Sequence, residues 1–281
     1  MIRKSITLQN KFSEDILLDL RYDEGTRDAP AIIIVHGFKG FKDWGFFPDL
    51  GRRFTASGYV TVCFNFSRNG IGSDLQAFSE LDKFAENTYS HELADMQTVI
   101  EAIKSESIGK RIINPEQLGI LGHSRGGAIA ILTAKKYPND FSALVTWSSI
   151  ARLNRYNDEQ IRQWQEKGYI EIENVRTGQM MRLNKTFWDD LQKNEKKYDL
   201  IKVVQDIEIP ALFVHGAEDT SVPPEESQLL HDQCRAFLKR LEMIENANHT
   251  FGIKHPFENP TPEYETAAYL SEHWFDSNLL V

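Results

Sequence analysis

The sequence predicts an α/β protein with a mostly parallel sheet flanked by helices, and two observations carry this prediction. Six short apolar runs recur along the 281 residues, as expected of strands that are buried on both faces. Helical patterns lie between most of these runs, and such alternation is typical of a doubly wound sheet. Functional side chains are then expected on the loops that follow the strands. The apolar runs are residues 31–35, 59–64, 118–121, 143–147, 211–214 and 241–244.

The first two strands are predicted to pair as an antiparallel hairpin. Residues 5–9 and 15–22 alternate, or nearly so, between apolar and polar side chains, with Asn10 and Ser13 between them. This alternation indicates strands with one exposed face. We therefore expect the hairpin at an edge of the sheet.

Helices are predicted where apolar side chains return every three or four residues. Residues 90–104 place Leu93, Met96 and Ile100 on one face at this spacing. An Ala- and Ile-rich run over residues 128–137 indicates another helix. Both are expected to pack against the sheet.

About fifty residues, 152–205, interrupt the alternation between two of the apolar runs. Residues 158–167 indicate a helix, with Ile161 and Trp164 on one face and Gly168 at its end. The segment has too much predicted structure for a simple loop.

A small hairpin and a second helix complete the predicted insertion. The hairpin pairs residues 169–173 with residues 179–183, and Asn184 is placed to cap the following helix. We interpret the insertion as a helix–hairpin–helix cap over the functional site. Residues 1–151 and 206–281 then form the core domain.

Composition and charge exclude several classes of function. Lys and Arg total 32 against 41 Asp and Glu, a net charge of −9, and the charges are spread along the chain. Nucleic acid is therefore not an expected partner. The basic N-terminus lacks a following apolar segment, and no run predicts a membrane-spanning helix. Cys63 and Cys234 suggest no disulfide by their spacing, so we expect a cytoplasmic protein.

The most informative motif is the G-x-S-x-G pattern in residues 122–127, which read GHSRGG. The motif follows an apolar run and precedes a helical one, which is the context of a nucleophile elbow. A serine in such a turn adopts a strained backbone conformation, and its hydroxyl projects above the sheet. Gly122 and Gly126 leave room for the turn. Ser124 is therefore the predicted nucleophile.

Two later segments supply the partners that a serine nucleophile needs. A hydroxyl is a weak nucleophile until a base removes its proton, and a third group must orient that base. Asp219 follows one predicted strand and His249 follows the last one, which gives the chain order serine, acid, histidine. Ser124, Asp219 and His249 are the predicted catalytic residues.

Other residues could fill the same roles. Glu218 is the alternative acid, and His255 is an alternative base. His215 ends a predicted strand and is expected to pack beneath the site. His36 and His123 flank the site in positions that suggest structural roles.

The loop after residues 31–35 is predicted to supply an oxyanion hole. Gly37 and Gly40 allow its backbone to approach a substrate closely. We expect the backbone N–H groups of Phe38 and Arg125 to point at the oxygen that becomes negative during acyl transfer.

Trp164, Met180 and Trp188 are candidate substrate contacts in the insertion, with packing inside the insertion as the alternative. No Cys/His cluster, H-E-x-x-H motif or spaced carboxylate pair predicts a metal site. The Gly70-Ile71-Gly72 segment lacks the third glycine of a dinucleotide-binding loop. We therefore expect neither a metal nor a cofactor.

At these residues the chain resembles the α/β-hydrolase superfamily over nearly its full length. Within the superfamily it looks like compact bacterial serine esterases of the cinnamoyl/feruloyl-esterase and dienelactone-hydrolase-like kind. The resemblance implies an eight-stranded, mostly parallel sheet with an antiparallel second strand, and ester hydrolysis in two steps. Two features differ: Ser124 stands where dienelactone hydrolases carry cysteine, and Arg125 stands where feruloyl-type esterases often have glutamine.

The leading hypothesis is a serine hydrolase that cleaves a small-molecule carboxylic ester through an acyl-enzyme. Peptidase, thioesterase or acyltransferase activity on the same fold is the alternative. A ligand-binding protein that has lost catalysis is a further alternative, although binding alone would not require Ser124, Asp219 and His249.

Overall fold

The structure is a computed structural model that describes residues 1–74 and 77–279. Ten strands lie within these residues, of which eight form one sheet and two form a separate hairpin. The sheet contains β1 (Ile2–Gln9), β2 (Asp15–Tyr22), β3 (Ala29–Val35), β4 (Val60–Phe64), β5 (Ile113–His123), β6 (Ala143–Trp147), β9 (Ala211–Gly216) and β10 (Lys239–Ile244), and the hairpin contains β7 (Tyr169–Asn174) and β8 (Gln179–Asn184).

The described sheet has the strand order β1-β2-β4-β3-β5-β6-β9-β10. Strand β2 runs antiparallel to both β1 and β4, and all other neighbouring strands are parallel. The predicted fold class, the edge hairpin and the antiparallel second strand are confirmed. Every parallel strand therefore ends at the same edge, where loops can bring distant residues together.

Helices cover both faces of the sheet. Ile33 of β3 belongs to one apolar cluster with Met96 and Ile129, whereas its neighbour Ile32 belongs to a second cluster with Phe275. Because successive strand side chains point to opposite faces, one strand contributes to both layers of the core. The described helices are α1 (Phe47–Ala56), α2 (Leu81–Ala85), α3 (Tyr89–Lys104), α4 (Arg125–Lys136), α5 (Asp158–Lys167), α6 (Lys185–Lys193), α7 (Leu200–Val203), α8 (Glu225–Gln233) and α9 (Pro262–Leu279).

The 152–205 segment contains α5, the β7–β8 hairpin, α6 and α7. Asn157 caps α5 through a reciprocal pair of hydrogen bonds with Gln160, and Gly168 ends it with a φ of 80°. Asn184 occupies the N-cap position of α6, but its side chain makes no capping hydrogen bond. It donates to Glu86 Oε1 instead, and so links the insertion to the core.

Further hydrogen bonds attach the insertion to the loops at the sheet edge. Lys39 Nζ donates to the backbone oxygen of Glu173 in β7 at 2.9 Å. Ser90 N, in the first turn of α3, donates to Asp190 Oδ2 of α6 at 3.0 Å. The insertion therefore contacts both the loop that follows β3 and the first turn of α3.

A buried polar cluster joins α3 to two loops near the first hairpin. Asp95 Oδ1 accepts from Asn10 Nδ2 at 2.6 Å, and Asp95 Oδ2 accepts from Ser67 N at 2.7 Å. Burial raises the pKa of Asp95 to about 6, although the hydrogen bonds from Asn10 and Ser67 act in the opposite direction. The folded protein therefore keeps the carboxyl proton of Asp95 at pH values at which an aspartate in the unfolded chain has lost it.

This cluster predicts that stability falls as the pH rises through the titration of Asp95. Between about pH 4 and pH 6 the folded state binds more protons than the unfolded state, so the free energy of unfolding decreases with pH. We expect the stability of the wild type relative to Asp95→Asn to fall by about 2–3 kcal/mol over this interval. Urea unfolding of both proteins at several pH values measures the difference. A difference that stays constant with pH would contradict the prediction.

Both cysteines are buried and carry free thiols, and Cys63 lies in β4 as its apolar run predicts. Among the helices of the described residues, none has the length and apolar character needed to cross a bilayer.

Candidate active site

Ser124 lies in the sharp turn between β5 and α4, with φ of 58° and ψ of −122°. Such a conformation is strained for a residue other than glycine, so the surrounding structure must hold it. Ser124 N donates to Trp147 O of β6 at 2.8 Å, and Gly127 N donates to Ser124 O at 3.0 Å. The backbone of the turn is therefore fixed from both sides.

Two glycines make this turn sterically feasible. A Cβ atom on Gly122 would lie 2.2 Å from the backbone oxygen of Gly126. A Cβ atom on Gly126 would lie 2.3 Å from the backbone oxygen of Val35 at the end of β3. Neighbouring backbone therefore lies too close for a side chain at either position. This confirms the prediction that Gly122 and Gly126 leave room for the turn.

His249 and Asp219 come together at the same edge of the sheet. His249 Nδ1 and Asp219 Oδ2 are 2.7 Å apart, while Asp219 Oδ1 accepts from the backbone N–H groups of Ser221 and Val222 at 2.8 and 2.9 Å. Burial by itself would raise the pKa of Asp219, but hydrogen bonds with His215 and His249 outweigh it and hold the pKa well below its ordinary value. An ionised carboxylate thus orients the imidazole, whose Nε2 is left to accept a proton.

His215 provides a second imidazole contact to Asp219. Its Nε2 lies 3.1 Å from Asp219 Oδ2 and 2.9 Å from the backbone oxygen of Val222. A carbonyl oxygen can only accept, so His215 Nε2 carries the proton and donates. His215 Nδ1 then accepts from Ser227 Oγ at 2.6 Å. This buried histidine lies beneath the site, as the sequence suggested, and its Nε2–H group stabilises the Asp219 carboxylate.

The alternative acid and base do not occupy the site. Glu218 is exposed, and its backbone N–H donates to Ala247 O at 2.9 Å. His255 packs against Phe41 and accepts from Gly45 N at 3.1 Å. Of the candidates weighed from the sequence, Asp219 is the acid that contacts histidines, and His249 is the one of its two histidine partners that lines the cavities with Ser124.

Two neutral histidines hold the loops around Ser124. Burial and the neighbouring His249 lower the pKa of His123 to about 3, and burial lowers that of His36 to about 4. His123 Nε2 donates to the backbone oxygen of His249 at 2.9 Å. His36 Nδ1 donates to Gly37 O at 2.9 Å, and its Nε2 accepts from Phe66 N at 3.2 Å. Their structural positions agree with the sequence analysis.

Ser124 and His249 both line two neighbouring cavities. The side chains of Ser124 and His249 are not hydrogen-bonded to each other in this conformation. The smaller cavity, of about 240 Å³, extends towards Trp44, Phe47 and the tip of the β7–β8 hairpin. The larger cavity, of about 470 Å³, extends beneath the insertion towards Tyr156. Volumes of this order suit small organic ligands.

Phe38 and Arg125 flank Ser124 in the larger cavity. Phe38 lies in the loop after β3, whose turn is closed by a hydrogen bond from Gly40 N to Gly37 O at 3.0 Å. Arg125 is the first residue of α4, where a helix has N–H groups without intrahelical acceptors. The assignment of their N–H groups to an oxyanion hole stays a prediction.

The three candidate contacts of the insertion lie elsewhere. Trp164 is fully buried, stacks on Trp188 at a centroid distance of 5.6 Å and donates to Leu183 O. Met180 is 53% exposed on β8. None of the three lines either cavity around Ser124 in the described structure, which corrects the expectation of substrate contact. The tryptophans pack inside the insertion because they join α5 to α6.

The sequence analysis missed the side chains that form the larger cavity. Tyr89 of α3 and Tyr156 of the insertion line it together with the Arg125 side chain. The backbone N–H of Arg125 has a predicted role, and the residue is a noted difference from feruloyl-type esterases, but the sequence did not predict the Arg125 side chain as part of a cavity wall. Its position directly after Ser124 was a usable signal, whereas the tyrosines carry no motif and are brought in by tertiary packing.

The sheet, the serine turn and the strand-end carboxylate–histidine pair define an α/β-hydrolase. The chain belongs to the prolyl oligopeptidase family, since the sequence model of that family (Peptidase_S9) matches residues 53–277. It is therefore a hydrolase of the esterase and peptidase type.

Individual proteins resemble this chain in sequence or in fold. The uncharacterized peptidase YuxL of Bacillus subtilis (strain 168) is 24% identical over 257 residues, which cover 91% of this chain and 36% of YuxL. Among solved structures, the α/β hydrolase GrgF from Penicillium sp. sh18 superposes over 100% of both chains with a TM-score of 0.76 and 16% identity. Est1E from Butyrivibrio proteoclasticus, solved with ferulic acid bound, covers 98% of this chain and 100% of its own, with a TM-score of 0.73 and 16% identity.

Proposed function

We propose that this protein is a serine hydrolase that cleaves carboxylic esters of small molecules through an acyl-enzyme. The observation that carries the proposal is the 2.7 Å contact between His249 Nδ1 and Asp219 Oδ2 on a histidine that shares both cavities with Ser124. In this proposal Ser124 is the nucleophile, His249 is the base, and Asp219 orients the base.

Acylation would proceed from the strained serine. Ser124 Oγ bonds to the ester carbonyl carbon while its proton passes to His249 Nε2. The carbonyl π electrons move to oxygen, and the N–H groups of Phe38 and Arg125 would stabilise the resulting oxyanion. The bond to the leaving oxygen then breaks, and His249 returns its proton to that oxygen to release the alcohol.

Deacylation repeats the same steps with water. His249 takes a proton from the water as its oxygen bonds to the acyl carbon. Collapse of the second oxyanion breaks the bond to Ser124 Oγ, which regains a proton from His249. Asp219 stays ionised throughout, in keeping with its lowered pKa.

We also propose that residues 152–205 act as a cap that limits the size of the substrate. Tyr156 and Ile172 line the larger cavity, and Asn174 and Arg176 line the smaller one. The bond from Lys39 to Glu173 O holds the hairpin against the loop after β3. The insertion thus supplies walls to both cavities.

Peptide hydrolysis is the second candidate, because the chain belongs to the prolyl oligopeptidase family and matches a protein named as a peptidase. The chemistry at Ser124 would be the same, with an amine in place of the alcohol. The esterase proposal is favoured by the modest volumes of the two cavities, which suit a small ligand.

A panel of substrates tests the proposal. We expect turnover of p-nitrophenyl esters in a series from acetate to laurate, or of methyl ferulate, above that of matched p-nitroanilides of short peptides. An organophosphonate probe should inactivate the enzyme and label Ser124, as located by mass spectrometry. Turnover of the anilides alone would favour the peptidase, and an adduct on another residue would refute the assigned nucleophile.

A further inference from the structure

The larger cavity beside Ser124 is lined by cations. Lys39, Arg125 and Arg155 contribute to its wall, and no Asp or Glu does so among the described residues. Arg155 is neutralised from outside the wall by an ion pair with Glu226. Two positive charges therefore face a cavity that shares Ser124 and His249 with the smaller one.

Arg125 is the more unusual of these two cations because it is buried. Its side chain is only 7% exposed, yet its Nη1 has no hydrogen-bond partner among the described residues. The guanidinium lies over the Phe38 ring at 3.9 Å and within 5.1 Å of the Tyr89 ring centroid. A buried guanidinium normally has hydrogen-bond acceptors, and Nη1 faces Glu92 without reaching hydrogen-bond distance. Because Arg125 also lines the cavity, its other N–H groups are the donors that a ligand there would contact.

Glu92 compensates the charge of Arg125 only in part. Its Oε1 lies 3.6 Å from Arg125 Nη1, which is too long for a hydrogen bond, and instead accepts from Asn87 Nδ2 at 2.8 Å. Burial raises the pKa of Glu92, although Arg125 and the hydrogen bond from Asn87 act in the opposite direction. The second carboxylate oxygen of Glu92 has no hydrogen-bond partner among the described residues.

Lys39 strengthens the positive potential at the cavity mouth. Burial and the nearby Arg125 and Arg176 guanidinium groups lower its pKa, which shows that cations crowd this region. An anion placed among them would relieve this repulsion. The same cavity also has apolar wall residues, which include Ile150, Leu153 and Val222.

We propose that the larger cavity binds a carboxylate on the substrate, and that Arg125 holds this carboxylate while the apolar wall contacts the carbon chain that joins it to the ester. The inference rests on the proposed ester hydrolysis and specifies its substrate class as half-esters of dicarboxylic acids or esters of carboxylated alcohols. Arg125 is then a specificity-determining residue through its side chain. Its planar guanidinium matches the geometry of a carboxylate.

Matched substrate pairs test this proposal and show which side of the ester carries the carboxylate. Mono-p-nitrophenyl adipate and its methyl ester differ in charge on the acyl side. The 4-acetoxyphenylacetate ion and its methyl ester differ on the alcohol side. We expect the wild type to favour the acid of one pair by about 10-fold or more in kcat/KM, since a hydrogen bond to a charged group contributes at least this much.

The Arg125→Met variant keeps the backbone N–H and removes the guanidinium. We expect its loss of kcat/KM for the favoured acid to exceed its loss for the methyl ester by about 10- to 100-fold. Arg52→Met, on the exposed side of α1, should leave both values unchanged. Equal losses on acid and methyl ester would overturn the proposal, because Arg125 would then act by packing against Phe38.

Two further measurements keep the proposal falsifiable if Arg125→Met folds poorly. The double variant Arg125→Met/Glu92→Gln avoids an unpaired buried carboxylate and should show the same selective loss. For the unmodified enzyme, hexanoate should inhibit competitively at a concentration about 10-fold lower than hexanamide, by the same charged hydrogen bond. Equal inhibition, or no preference for the acid in either substrate pair, would overturn the carboxylate site. Failure to cleave any of the four esters would instead refute the proposed ester hydrolysis.

Discussion

Ser124→Ala is expected to lower kcat for ester cleavage by about 10⁶-fold, which is the size of loss that follows when a serine nucleophile is removed from a serine protease. The substitution deletes only the Oγ atom that would bond to the acyl carbon. The turn should remain intact, since backbone hydrogen bonds with Trp147 O and Gly127 N hold it. Steady-state kinetics with a p-nitrophenyl ester measures the loss.

A serine outside the site provides the matched control for this substitution. Ser277 lies on α9, where its hydroxyl donates to the backbone oxygen of His273 at 2.9 Å. Ser277→Ala should retain wild-type kinetics. If the alanine variant at position 124 keeps a substantial fraction of wild-type activity, another nucleophile carries the reaction and the proposed mechanism is wrong.

Asp219→Asn is expected to lower kcat by about 10⁴-fold, as the equivalent change does in serine proteases. The introduced side-chain amide could still accept from Ser221 N and Val222 N through its oxygen. Its nitrogen would then face both His249 Nδ1 and the proton on His215 Nε2. His249 would have to carry its proton on Nε2, and that tautomer cannot accept the proton of the nucleophilic serine. Steady-state kinetics with the same p-nitrophenyl ester measures the loss.

A substitution of Glu218 separates the loss of the contact between Asp219 and His249 from the loss of a negative charge alone. Glu218 is exposed and is adjacent to Asp219 in the chain, so Glu218→Gln removes the same charge without touching His249. We expect this variant to keep wild-type kcat. A large loss in Glu218→Gln, with little change in Asp219→Asn, would reverse the assignment of the acid.

Most of the sheet was predictable because buried strands need continuous apolar runs. Residues 143–147 match β6. Ser124, Asp219 and His249 each follow a predicted strand, and this placed them at the same edge of the sheet. Strand β5 was underestimated: the run at 118–121 is its buried part, whereas the strand begins at Ile113. Its first part includes partly exposed polar side chains at residues 114, 116 and 117, which lie at the register shift between the β3-paired residues Ile113 and Leu118, so hydropathy carried no signal for them.

The walls of the cavities were beyond prediction because they depend on packing between distant segments. Tyr89 and Tyr156 are far apart in the chain and meet only when the insertion folds against α3. Trp164 and Trp188 were considered as substrate contacts because large aromatic residues suit both a cavity and a core. The mutual packing of α5 and α6 places them in the core, and no local pattern distinguishes the two outcomes.

The close backbone contacts at Gly122 and Gly126 also limit which positions of the motif can be substituted. They forbid any side chain at two positions of the motif, whereas the two positions beside Ser124 carry large side chains. One of them, His123, secures the loop that carries His249, and the other, Arg125, turns towards the larger cavity. If Arg125 selects the substrate as we propose, a single substitution directly after Ser124 changes which compounds are accepted and leaves the glycine-bounded turn unaltered.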